Sequence, residues 1–148
     1  MKIYQEYIQK LDNHLNKTDE TRFVAQQLLR LHKEAKLKEC PIIVELGVDR
    51  GQSTKIFLNA IDDKDGAKLI SLDIKDCSKA AESSKWEFIK QDSADIKKLL
   101  INKPEIKKGI DILYVDSFHT AEHGKKGKNS VMLDSLLIVL GFLPCQVL

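Results

Sequence analysis

Glu45-Leu46-Gly47-Val48-Asp49-Arg50-Gly51-Gln52-Ser53-Thr54 joins a short β-branched run, Ile42 to Leu46, to a stretch whose apolar residues Ile56, Phe57, Ala60 and Ile61 recur at helical spacing. The run ahead of it reads like a strand buried on both faces of a parallel sheet. Cys40-Pro41 marks where that strand begins, because a residue before proline is pushed out of the helical region. Gly47 and Gly51 let the chain turn tightly and let a ligand approach the backbone, while the first N–H groups of the next helix have no carbonyl of their own to bond. The stretch predicts a strand–loop–helix unit with a helix start that favours a carboxylate. An ordinary βα turn, with glycines serving geometry alone, is the alternative reading.

Outward from this unit the same alternation continues. After a helix near 53–61 and the Asp65-Gly66 turn, Lys68-Leu69-Ile70-Ser71-Leu72-Asp73 reads as a second strand. A polar segment around 76–84, a strand at Trp86-Glu87-Phe88-Ile89, a helix near 93–101 capped by Ser93, and a strand at Ile110 to Val115 follow. Upstream, Ile3, Tyr4, Tyr7, Ile8, Leu11 and Leu15 share one helical stripe, and Phe23, Val24, Leu28 and Leu31 share another after the start signal Thr18-Asp19-Glu20. The expected fold is α/β, a Rossmann-like, doubly wound and mainly parallel sheet of four to five strands preceded by two helices. Residues 1–38 form those helices and 39–148 the sheet domain. Beyond about residue 123 the pattern breaks at Gly124-Lys125-Lys126-Gly127-Lys128, and Val131 to Leu143 reads either as a fifth strand or as a short buried helix.

Composition narrows the partners. A chain of 148 residues that is 43% hydrophobic can bury one core, and 24 Lys plus Arg against 22 Asp plus Glu create no strong pull toward nucleic acid or anionic lipid. The Lys125–Lys128 stretch lacks interleaved aromatics and reads as a solvated loop rather than a phosphate grip. Cys40, Cys77 and Cys145 include no C-x-x-C pair, and a low odd count argues against a disulfide framework or a zinc knot. No secretory signal is visible, and the longest apolar run, Leu136 to Leu143, is far short of the roughly 20 residues of a membrane helix. The expectation is a cytoplasmic protein with no nucleic-acid or membrane partner.

The residues that can carry chemistry gather at the predicted carboxyl ends of the strands. Glu45 and Asp49 make the loop acidic, which disfavours a pyrophosphate and favours an ammonium or sulfonium, and Asp at position 49 breaks the G-x-G-x-x-G dinucleotide fingerprint. Asp73, 22 residues after Gly51, sits where an acid accepts from ribose hydroxyls, with a solvated loop aspartate as the alternative. Asp92 is placed either to accept from an adenine amino group or to cap a helix beside Ser93. Asp116 suits positioning a substrate or binding a hard cation, and His119 suits a general base or a loop-ordering hydrogen bonder. His119 and His123 are also spaced to share a helix face around a transition metal, a pairing common by chance. His14 and His32 read as surface or capping residues.

The ordered pieces Val44-Glu45-Leu46-Gly47-x3-Gly51-x-Ser53, Ser71-Leu72-Asp73, Gln91-Asp92 and Tyr114-Val115-Asp116-x2-His119 resemble class I S-adenosylmethionine-dependent methyltransferases, closest to the small-molecule O-methyltransferase-like branch. The resemblance implies cofactor contacts from Glu45, Gly47 and Gly51 at the methionine end, Asp73 at the ribose and Asp92 at the adenine, with Val48, Ser53, Ile74 and Ser93 as further cofactor-binding candidates. It implies a Mg2+ site at Asp116 if the protein follows the metal-dependent members, and Asp116 and His119 are the candidate catalytic residues, positioning or deprotonating the acceptor. That family completes its sheet with three further strands where this chain has room for one. A truncated or frame-altered product with an open sheet edge, covered by a second copy or by the N-terminal helices, is therefore expected. The function implied is methyl transfer to an oxygen of a small molecule. A catalytically silent cofactor-binding or interaction module is the alternative, and a dinucleotide-binding fragment is a third, disfavoured reading.

Overall fold

The computed structural model describes residues 1–116 and the backbone of residues 136–139. Its elements run α1 (Gln5–His14), α2 (Glu20–Lys36), β1 (Ile42–Leu46), α3 (Gln52–Ile61), β2 (Lys68–Asp73), β3 (Trp86–Lys90), α4 (Ile96–Asn102), a 3-10 helix (Pro104–Lys108), β4 (Ile112–Val115) and β5 (Leu136–Val139). The strands form one sheet in the order β3-β2-β1-β4-β5. β1 pairs in parallel with β2 and β4, β2 pairs in parallel with β3, and β5 pairs antiparallel with β4. The α/β, doubly wound, mainly parallel architecture is thus present, with β5 settling the choice between strand and helix within 131–143 over residues 136–139.

Alternation along the central strands explains why both faces are covered. Ile43, Leu69, Ile112 and Tyr114 point to one side, where α1, α2 and α3 supply Ile8, Leu11, Leu28, Leu31, Ile56, Phe57 and Ile61. Val44, Leu46, Ile70 and Leu72 point to the other, against Leu99 of α4 and Ile106 of the 3-10 helix. The ring of Phe57 meets that of Tyr114 edge to face at 5.8 Å. The N-terminal helices share this core with α3, so they pack as a layer of the sheet domain. Asp19 caps α2 by accepting from the Thr21 N–H at 3.0 Å, as the start signal indicates.

Three local features differ from expectation. α4 begins at Ile96 with Asp95 as its cap, accepting from the Lys98 N–H at 3.1 Å, so Ser93 is not the cap. The turn ahead of it is occupied by Asp92, whose carboxylate accepts from the Ala94 N–H at 2.9 Å, which delays the helix by one short turn. His32 is half-buried rather than superficial, its Nε2 lying 2.7 Å from Asn59 Oδ1. Burial holds the His32 imidazole below its ordinary pKa, opposed by that hydrogen bond. Of the cysteines, Cys77 is a free buried thiol and Cys40 is disulfide-bonded, the latter against the sequence expectation. Among the described residues no helix is long and apolar enough to cross a membrane.

Asn59, 2% exposed, also donates to the Ile3 carbonyl at 2.7 Å. Replacing Asn59 by Ala strands both partners and is expected to cost about 2 kcal/mol in urea unfolding. A midpoint unchanged from wild type would show that water satisfies them instead.

Candidate functional site

The parallel pairing brings the carboxyl ends of β1, β2, β3 and β4 to one edge, and the loop after β1 is shaped there by five backbone constraints. Gly47, Asp49 and Gly51 all adopt positive φ, at 100°, 48° and 74°, and Gly51 N donates to the Val48 carbonyl at 2.8 Å. The Gly47 N–H bonds the Leu72 carbonyl at 2.8 Å, extending the β1–β2 ladder into the loop. A methyl group on Gly51 would lie 2.9 Å from Ala80 Cβ and 3.0 Å from the Ala80 carbonyl oxygen, so the β2–β3 connection rests directly on this glycine. The sequence identified both glycines but not this second reason for Gly51.

Asp73, 5% exposed at the end of β2, spends its carboxylate on the same loop. One oxygen accepts from the N–H groups of Val48 at 2.9 Å and Asp49 at 3.2 Å, and the other accepts from Lys75 N at 2.9 Å. The residue expected at a ribose is therefore also the pin that fixes the loop's shape. Burial, and then the negative charge of Asp73, push the neighbouring Cys77 thiol up, which keeps it protonated.

Glu45 differs most from its expected role. Its side chain is fully buried under the loop, not presented at the sheet edge. Oε1 accepts from Ser53 Oγ at 2.5 Å, and Oε2 accepts from Thr54 Oγ1 at 2.8 Å and Ser71 Oγ at 2.6 Å. Trp86 Nε1 in turn donates to Ser71 Oγ at 3.0 Å. Alternation puts Glu45 and its register partner Ser71 on the α3 face, and the first turn of α3 lowers Ser53 and Thr54 onto the same carboxylate. In this arrangement Glu45 braces the loop from beneath, and Ser53 is part of that brace. Burial pushes the Glu45 carboxyl up to about 7, opposed by the three hydroxyls and reinforced by the negative charge of Asp116.

A small cleft of about 70 Å³ opens between this loop and the end of β4. Its described lining is Leu28 from α2, Val48 to Arg50, Gln52 and Ser53 from the loop and α3, and Tyr114 and Asp116 from β4. The position is the topological switch point, since the chain leaves β1 toward β2 on one side and pairs with β4 on the other. Asp49 and Asp116 are exposed there. Leu28, Arg50 and Gln52 escaped the sequence reading. Leu28 belonged to a helix read only as core, and the two polar residues carried no motif of their own.

The remaining expected residues are more dispersed. Ile74 is exposed after β2, and Asp92 and Ser93 lie in the turn after β3. Beside them Gln91 is buried, with Nε2 donating to the Asp95 carbonyl at 2.8 Å and Oε1 left without a hydrogen-bond partner. His119, His123 and the Lys125–Lys128 stretch lie outside the described residues. Among the described residues no group of three or more His, Cys, Asp or Glu is arranged to hold a metal ion, so Asp116 is not part of such a cluster there.

A family model described as a methyltransferase domain matches residues 44–133, from β1 through β4 and beyond. The chain belongs to this methyltransferase-domain family. The match covers the loop, Asp73, Asp92, Asp116 and His119 in one span, while α1 and α2 lie ahead of it. No curated protein matches the chain. For a methyltransferase domain, the switch-point cleft is where the fold itself directs a ligand.

Two consequences can be measured. Raising the folded pKa of Glu45 above its unfolded value means the folded state binds the extra proton between about pH 4.5 and about 7. Its contribution is therefore full below that window and is lost as pH rises through it. Thermal melting of the Glu45→Gln variant should lack this decline, and a parallel decline in the variant would locate the effect elsewhere. The Gly51→Ala substitution combines a positive φ with the Ala80 contact and is expected to cost about 1–3 kcal/mol. Wild-type stability in that variant would mean that the β2–β3 connection moves aside freely.

Proposed function

We propose that the chain is an S-adenosylmethionine-dependent methyltransferase acting on an oxygen of a small molecule. The observation that carries this reading is the cleft at the switch point, where the glycine loop and the start of α3 face Asp116 across the ends of β1 and β4. The first-turn N–H groups of α3 suit the cofactor's carboxylate, and the exposed Asp49 and Asp116 suit its positive charge. The orphaned Oε1 of Gln91, beside Asp92, leaves an unmet acceptor at the strand end assigned to the adenine.

When bound, the cofactor would supply an electrophilic methyl carbon for the acceptor oxygen, with the leaving electron pair kept on sulfur. The protein's part is positioning, which is most of what an in-line displacement requires. Asp73 holds the loop in its ligand-receiving shape by accepting from Val48 and Asp49, at the strand end assigned to the ribose. Leu28 and Tyr114 give the cleft apolar walls that limit water, and Asp116 orients the acceptor hydroxyl; His119, assigned from the sequence alone, takes its proton.

Titration calorimetry with S-adenosylmethionine and S-adenosylhomocysteine, and with NAD as control, tests the reading. Micromolar binding of the first two and none of NAD is expected, and Asp73→Ala should weaken it about tenfold, as loss of charge-assisted hydrogen bonds implies. Binding of NAD alone, or of none by a folded chain, would overturn the assignment. Release of S-adenosylhomocysteine with a hydroxyl-bearing acceptor, with and without Mg2+, then separates an enzyme from a silent cofactor-binding module.

A further inference from the structure

Tyr4 is the one described non-glycine residue besides Asp49 with positive φ, at 58°, and it does so immediately before α1. A bulky side chain is rarely found in this region, and such a residue persists only where its surroundings over-determine it. The surroundings here do so. Ile3 N donates to Asp62 Oδ2 at 3.1 Å, Asn59 Nδ2 donates to the Ile3 carbonyl at 2.7 Å, and Lys2 Nζ pairs with Asp63 at 2.8 Å. The chain's first four residues are thereby fastened along α3 and its C-terminal end.

The left-handed turn sends the Tyr4 ring across α3, with Lys55 Nζ 6.0 Å from its centroid, toward the connection between β2 and β3. There the phenol oxygen accepts from Glu82 N at 2.7 Å and its hydroxyl donates to the Glu82 carbonyl at 3.2 Å. A single side chain grips both main-chain groups of a residue 78 positions away. Two residues before Glu82, Ala80 lies against Gly51, so close that a Cβ there would meet it at 2.9 Å. At its other end the connection begins from Asp73, which holds Val48 and Asp49.

We propose that Tyr4 is a positioning residue for the ligand site: by clamping Glu82 it holds the 74–85 connection down on Gly51, so that the N-terminus helps set the shape of the glycine loop. The consequence for ligand affinity rests on the cofactor-binding reading above; the mechanical coupling does not. A tyrosine that served only to staple α1 would have no reason to influence Val48 and Asp49, which it does not touch.

The Tyr4→Phe variant keeps the ring and removes the hydroxyl. Amide hydrogen exchange, resolved by residue, should show faster exchange at Glu82 and also at Val48 and Asp49, each by about tenfold. The S-adenosylhomocysteine dissociation constant should rise about fivefold, and in turnover the KM for S-adenosylmethionine should rise while kcat at saturation stays near wild type. Ala80→Gly, which loosens the contact on Gly51 but leaves the clamp, should weaken binding similarly without accelerating exchange at Glu82. Unchanged exchange at Glu82 in Tyr4→Phe, or faster exchange at Glu82 with Val48, Asp49 and ligand affinity unchanged, overturns the proposal. If the wild-type chain binds no S-adenosylhomocysteine but the exchange at Glu82, Val48 and Asp49 moves together, the cofactor reading fails and the clamp stands. Should Tyr4→Phe fail to fold, the exchange and affinity of Ala80→Gly decide: wild-type values at the loop and in binding overturn the coupling.

Discussion

A carboxylate with no exposure to water, set in the central strand of a parallel sheet, is the constraint on which the site depends. Glu45 in an apolar interior would be strongly disfavoured in its charged form, and it is tolerated because three hydroxyls converge on it. Those hydroxyls come from β2 and from the first turn of α3, and Trp86 of β3 supports one of them. One buried group therefore ties three strands and a helix together beneath the loop. α3 can start only where Ser53 and Thr54 reach Glu45, and that fixes where the loop must end.

Asp73 does the complementary work from above. Glu45 fixes the landing point of the loop on α3, and Asp73 fixes its crest by accepting from Val48 and Asp49. Between these two anchors the chain must reverse over a few residues, which is why Gly47, Asp49 and Gly51 carry positive φ. The two acids differ in where they act: Glu45 lies beneath the loop and gathers three hydroxyls, whereas Asp73 lies at the strand end against Cys77 and gathers backbone N–H groups.

Much of this is legible in the sequence. Ile42–Leu46 and Lys68–Asp73 were readable as strands because central parallel strands are buried on both faces and become continuous apolar runs. α3 was readable from its spacing and α2 from its cap. α4 was placed too early because Asp92 and Ser93 look like caps in one dimension, while Asp92 is already committed to its own turn and the cap falls to Asp95. The direction of β5 was not legible, since an antiparallel and a parallel edge strand share one pattern when the connection carries no signal. The burial of Glu45 was missed for a different reason. An acid in a glycine loop reads as ligand-facing unless its neighbours are counted, yet Ser71 shares its face by alternation and Ser53 and Thr54 open the following helix. Three hydroxyls at those positions are the signature of a satisfied buried carboxylate.

The same logic locates what the N-terminal helices contribute. A β1 loop and a β4 end alone would leave the switch-point crevice open on the α3 side, where Tyr114 and the loop face outward. α2 closes that side because its apolar stripe, Leu28, Leu31 and Ala35, is shared between the core and the crevice: the lower residues pack on α3, and Leu28 reaches the cleft. Loss of α2 packing would thus expose core and open the site in one event. A residue read from periodicity as ordinary core is in this protein also a wall of the cleft, and that double use couples the stability of the helical layer to the shape of the place where a ligand fits.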